Sequence, residues 1–92
     1  MESKITIANV DITSANTEYS YALPTGTRRF KIKLRNPGYP LQLCMVLGES
    51  NTTYYNIAQG KTHEEKDIKG AEITLYFRTT AASQVAEIIT FR

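Results

Sequence analysis

The sequence predicts an all-β protein: a single-domain antiparallel β-sandwich or jelly-roll-like barrel of seven to eight short strands spanning residues 1–92. Three observations predict it. Apolar residues recur with a period of two, most cleanly in RRFKIKLR at 28–35, where Phe30, Ile32 and Leu34 alternate with Arg29, Lys31, Lys33 and Arg35. Such segments return about every 11–12 residues, separated by Gly-, Pro-, Asn- and Ser-containing turns. No stretch of three turns carries a 3.6-residue period, and the abundant Thr, Tyr and Ile suit pleated surfaces.

The elements follow in order. Residues 4–12 carry Ile5 and Ile7 on one face, and Val10 and Ile12 resume the alternation shifted by one, which predicts a β-bulge or bend. Residues 18–23 alternate Tyr19, Tyr21 and Leu23. Pro24-Thr25-Gly26 predicts a turn, with Pro24 fixing φ and Gly26 free to take positive φ. The strand at 28–35 is stopped by Asn36-Pro37-Gly38-Tyr39-Pro40. Residues 41–47 place Leu41, Leu43, Met45 and Leu47 on one face and Cys44 and Val46 on the other, as a central strand or one covered on both sides would. Gly48 to Asn51 reads as a loop, and 52–58 as a strand with Tyr55 and Ile57 inward. Residues 61–69 fit either a polar edge strand or a helical turn, broken at Gly70. Residues 71–78 alternate Ile73, Leu75 and Phe77. After a small-residue turn at 79–83, residues 84–91 are phased with Val85, Ile89 and Phe91 inward and Ile88 on the opposite face.

Composition narrows the function classes. With 41% hydrophobic and 22% charged residues, the chain is too apolar for disorder. No uninterrupted apolar stretch is long enough for a membrane-spanning helix. The start, MESKITIANV, has no long apolar segment, so folding in the cytoplasm is expected. The single cysteine, Cys44, cannot form an internal disulfide and reads as a small core residue. One His and one Cys fall short of the three or four donors of a zinc site, so no metal and no cofactor is expected. The HEEKD run lacks calcium-loop spacing. His63 reads as an exposed loop or edge residue, and Glu64 and Glu65 fall on opposite faces of a strand, so neither a triad nor a carboxylate pair is expected. No phosphate-binding loop or nucleophile elbow is present in the sequence, and the chain is expected not to be an enzyme.

The net charge of +2 is mild, but five of the eleven Lys and Arg residues fall within 28–35. On a strand, Arg29, Lys31, Lys33 and Arg35 form a line of four charges about 20 Å long. The line fits a solvated face that discourages edge aggregation, a docking surface for an acidic protein, or phosphate-backbone binding. Nucleic acid is the least favoured partner, because no base-stacking aromatic interrupts the cations. Tyr39, Tyr54 and Tyr76 are weaker interface candidates, as edge tyrosines, an interface or a sugar-stacking platform.

The order of short motifs resembles a group of small tailed-bacteriophage proteins, virion-associated and akin to capsid decoration (cement) proteins. The shared elements are Tyr-x-x-x-Leu-Pro at Tyr19–Pro24, a basic-apolar strand at Phe30–Arg35, a Tyr-x-x-Ile-x-x-Gly strand and turn at Tyr54–Gly60, Leu-Tyr-Phe at Leu75–Phe77 and Val-x-Glu-Ile at Val85–Ile88. The resemblance implies a β-sandwich or jelly-roll unit of the virion that docks on the major capsid protein or another virion protein. It also implies a homo-oligomer, a trimer among the options, and assigns no binding residues. A neck or tail adaptor and a standalone nucleic-acid or carbohydrate module are the alternatives.

Overall fold

The computed structural model describes residues 5–49, 52–66, 68 and 73–92. The expected strand starts at Lys4 and Ala71, the Ser50-Asn51 part of the loop and the break at Gly70 lie outside these residues. Eight strands are present among the described residues: β1 (Ile5–Ile12), β2 (Tyr19–Ala22), β3 (Arg29–Leu34), β4 (Leu41–Cys44), β5 (Tyr55–Ile57), β6 (His63–Glu65), β7 (Thr74–Arg78) and β8 (Gln84–Phe91). There is no helix among the described residues. Within the stretch at 61–69, His63–Glu65 form an edge strand, and residues 67 and 69 lie outside the described residues.

The strands form two four-stranded sheets, ordered β1-β8-β3-β6 and β2-β7-β4-β5. Every pairing is antiparallel. Only β4 and β5 are neighbours both in sequence and in a sheet; the other connections cross from one sheet to the other. This is the eight-stranded, double Greek-key order of a jelly roll. The predicted all-β sandwich is therefore the fold.

Alternation builds the core. Phe30, Ile32 and Leu34 of β3 are buried while Arg29, Lys31 and Lys33 between them are not. They meet Leu75 and Phe77 of β7 and Leu41 and Leu43 of β4, all 2% exposed or less, in one cluster between the sheets. Burying each such side chain stabilises the fold by about 1.5–3 kcal/mol. The Pro24 turn forms as predicted: Thr27 N–H donates to the Pro24 carbonyl at 3.2 Å, and Gly26 takes φ +85° at the third turn position.

Four expectations are corrected. First, β1 contains no bulge: its register with β8 runs unbroken from Ile5↔Phe91 to Ile12↔Gln84. The apolar phase slips because Ala8, Val10 and Ile12 face the core while Ile5 and Ile7 face outward, 60% and 70% exposed. Second, β8 has the opposite phase: Ala86, Ile88 and Thr90 are buried, and Val85, Ile89 and Phe91 lie half-buried on the outer face. Its apolar residues occupy both faces, so periodicity in β8 alone could not choose between them. Third, the strand predicted at 41–47 ends at Cys44. The Cys44 thiol donates to the Val46 carbonyl at 3.1 Å, which also accepts from Glu49 N–H, so the chain turns. Met45, Val46 and Leu47 are left exposed at the tip. Fourth, Tyr55 lies opposite Leu43, as its predicted inward phase requires, yet is 60% exposed because β5 is a sheet edge.

Candidate functional site: the outer face of the β1-β8-β3-β6 sheet

Strand register assembles the site from residues far apart in sequence. Ile5, Phe91 and Arg29 lie in one row across β1, β8 and β3. Ile7, Ile89, Lys31 and Glu64 form the next row, reaching β6, and Asn9, Glu87 and Lys33 the third. Residues of one phase share a face of a sheet, so the basic line of β3 stands beside an apolar strip from β1 and β8. All four predicted docking residues lie along this face. Arg35, just past the end of β3, continues the line, its N–H donating to the Val85 carbonyl at 2.9 Å.

The four cations are not equivalent. Arg29 lies 3.6 Å from a Glu64 carboxylate oxygen, and its guanidinium carbon sits 3.9 Å above the centre of the Phe91 ring. Glu87 serves two cations at once, accepting from Arg35 Nε at 2.8 Å and lying 3.5 Å from Lys33 Nζ. The Arg35 hydrogen bond, aided by the charges of Arg35 and Lys33, holds the Glu87 carboxyl below the ordinary glutamate range. Lys31 alone of the four makes no ion pair among the described residues. The line of charge predicted from sequence is thus largely compensated within the protein.

A groove of about 530 Å³ runs over this face, and Ile7, Ile89, Lys31, Lys33, Glu64 and Glu87 are among its lining residues. Every lining residue belongs to the β1-β8-β3-β6 sheet except Thr62, which immediately precedes β6. The groove is therefore one-sided, a trough on a sheet rather than a chamber between sheets.

The remaining candidates are dispersed. Tyr39 is 40% exposed in the loop before β4, and Tyr54 is 43% exposed before β5. Tyr76 is half-buried on β7, opposite Cys44 and Ser20. No ring contact joins any two of them among the described residues. Cys44 is buried, as expected. His63 is an edge residue but not an exposed one. Its side chain is 15% exposed, its ring lies 4.8 Å from that of Tyr55 and 6.3 Å from that of Phe30, and Nε2 lies 3.0 Å from Glu65 Oε1. It joins the β6 edge of one sheet to the β5 edge of the other. Glu64, in the opposite phase, turns outward to Arg29. No group of three or more His, Cys, Asp or Glu residues that could hold a metal occurs among the described residues.

Sequence reasoning found the cations and missed their surroundings. Ile5, Ile7, Ile89, Phe91, Glu64 and Glu87 join the site only through register. The one available signal was the phase slip in residues 4–12, which marks a strand with apolar residues on both faces.

No family model and no curated protein sequence matches the chain. Solved structures do match. A de novo designed double-stranded β-helix, determined by solution NMR, is similar over 97% of this chain and 99% of its own, with a TM-score of 0.57 and 15% identity. A Bacillus protein of endospore appendages, described as a novel family of disulfide-linked pili, is similar over 97% of this chain and 84% of its own, with a TM-score of 0.50 and 15% identity. At these identities the likeness is one of fold.

Proposed function

We propose that the protein is a non-enzymatic structural component that docks through the outer face of β1-β8-β3-β6 onto a larger protein assembly. The assembly is the head of a tailed bacteriophage, which this protein decorates by binding the major capsid protein. One observation carries the reading. Ile5 and Ile7, 60% and 70% exposed, continue onto half-buried Ile89 and Phe91, beside a row of cations. A contiguous apolar patch rimmed by charge marks a protein interaction surface, and an apolar centre with a charged rim is the anatomy of such interfaces.

The fold and its neighbours support the structural role. Jelly rolls recur in viral capsid domains, and one similar structure is a pilus protein. Nucleic acid is the weaker partner, since Arg29, Lys33 and Arg35 already have carboxylate partners. A homo-oligomer, a trimer among the closed arrangements, belongs to the same proposal.

The test is the copy number of the protein in purified particles, by quantitative mass spectrometry. Hundreds of copies per particle are expected for a head lattice. About a dozen would move the protein to a neck or tail ring, and absence from particles would overturn the virion reading.

A further inference from the structure

Lys31 sits between two kinds of surface. Toward β1 its row continues through Ile89 to Ile7, and toward β6 it reaches Glu64, whose ion pair is with Arg29. Glu87, one row away, is shared by Lys33 and Arg35. Lys31, a half-buried residue, is therefore the lysine of the groove that makes no ion pair among the described residues, next to Ile7 and Ile89. A lysine in this setting favours a carboxylate, because Glu64 already pairs with Arg29, and Glu87 with Lys33 and Arg35.

The shape selects the carrier of that carboxylate. Small-molecule sites enclose roughly 70–90% of their ligand, which a one-sided trough cannot do. An extended chain can lie along it. The trough is also continuous with β1, an edge strand whose outer Ile5 and Ile7 are exposed.

Building on the docking role proposed above, we infer that this groove recognises an extended segment of the partner protein that presents apolar side chains and a carboxylate on one face, at every second position. Ile7 and Ile89 receive the apolar side chains, and Lys31 receives the carboxylate.

The test uses the whole protein, isotopically labelled, titrated in an NMR amide spectrum with a capped heptapeptide that carries two valines and a glutamate at every second position among serines, and with its glutamine counterpart. The glutamate peptide is expected to shift the amides of Ile7, Lys31 and Ile89 saturably and to bind about fivefold more tightly than the glutamine peptide. Lys31→Met is expected to abolish that preference while keeping a folded spectrum. Lys61→Met, the same charge change at an exposed loop position, is expected to leave it intact. Equal affinity for the two peptides, no binding, shifts mapping elsewhere, or equal effects of the two lysine variants would overturn the inference. So would shifts of the same amides on raising protein concentration without peptide, which would make the occupant a second copy. The two readings fail separately. Loss of particle binding in Ile7→Glu without any glutamate preference sinks the carboxylate anchor and leaves the docking face. Glutamate recognition in a protein absent from particles does the reverse.

Discussion

Ile7 offers the sharpest separation of function from stability. It lies at the middle of the exposed apolar strip and is 70% exposed, so the fold derives little from it. Ile7→Glu is expected to change unfolding free energy by about 0.5 kcal/mol or less, as surface substitutions do. In the docked state the same side chain loses its exposed area. Burying a whole isoleucine is worth about 1.5–3 kcal/mol, so the exposed 70% accounts for roughly 1–2 kcal/mol of docking free energy. At 1.4 kcal/mol per tenfold, that is about a 5- to 30-fold loss of affinity. A buried glutamate adds a desolvation penalty, so this range is the minimum expected loss. The assay is co-sedimentation of the purified protein with particles stripped of it, across a concentration series, with thermal unfolding of both variants measured alongside. Unchanged affinity in Ile7→Glu would refute the placement of the docking face. A fall in melting temperature of many degrees would refute the premise that Ile7 is dispensable to the fold.

The inverted phase of β8 predicts a contrast between neighbours: Ile88→Ala, which empties a side chain only 1% exposed, is expected to cost about 2–4 kcal/mol, and Ile89→Ala less than about 1 kcal/mol. Denaturant unfolding checks this, and equal costs would contradict the register. Because Glu87 is held below the ordinary glutamate range by Arg35 and Lys33, its contribution is present at neutral pH and lost as pH falls through its folded-state value. The advantage of wild type over Glu87→Gln is expected to be about 0.5–1 kcal/mol near pH 7 and to shrink on acidification; an advantage that grew on acidification would exclude this ion-pair arrangement. Cys44, 6% exposed with its thiol donating to Val46 O, is expected to react with a thiol reagent only as fast as the chain opens. Rapid stoichiometric labelling in native buffer would show that the turn after β4 does not cover it.

The fold was legible because each strand carries its own period and each turn its own punctuation. Phe30, Ile32 and Leu34 could be assigned inward without knowing any partner, since both residues between them are Lys. Pro24 and Gly26 specified their turn by backbone conformation alone. Legibility ended where both faces of a strand are apolar. In β8, Val85 and Ile89 compete with Ala86 and Ile88, and only pairing with β1 on one side and β3 on the other decides. The apolar run after Leu41 misled for a related reason. Apolar side chains promise burial, but the sulfur and backbone hydrogen bonds at Cys44 and Val46 turn the chain before Met45 can join the strand.

The basic line illustrates why charge read from sequence overstates charge presented to a partner. A strand's neighbours are fixed by topology, and here topology brings Glu87 from β8 and Glu64 from β6 alongside β3. Exposed pairs of this kind contribute little stability each, so their main effect is on the field. They leave a groove in which Lys31 alone of the four cations makes no ion pair among the described residues, beside an apolar strip. Such a surface suits short-range, shape-matched docking more than long-range steering toward a polyanion. Salt should therefore weaken partner binding only modestly, in contrast with the steep dependence that several free phosphate contacts would impose.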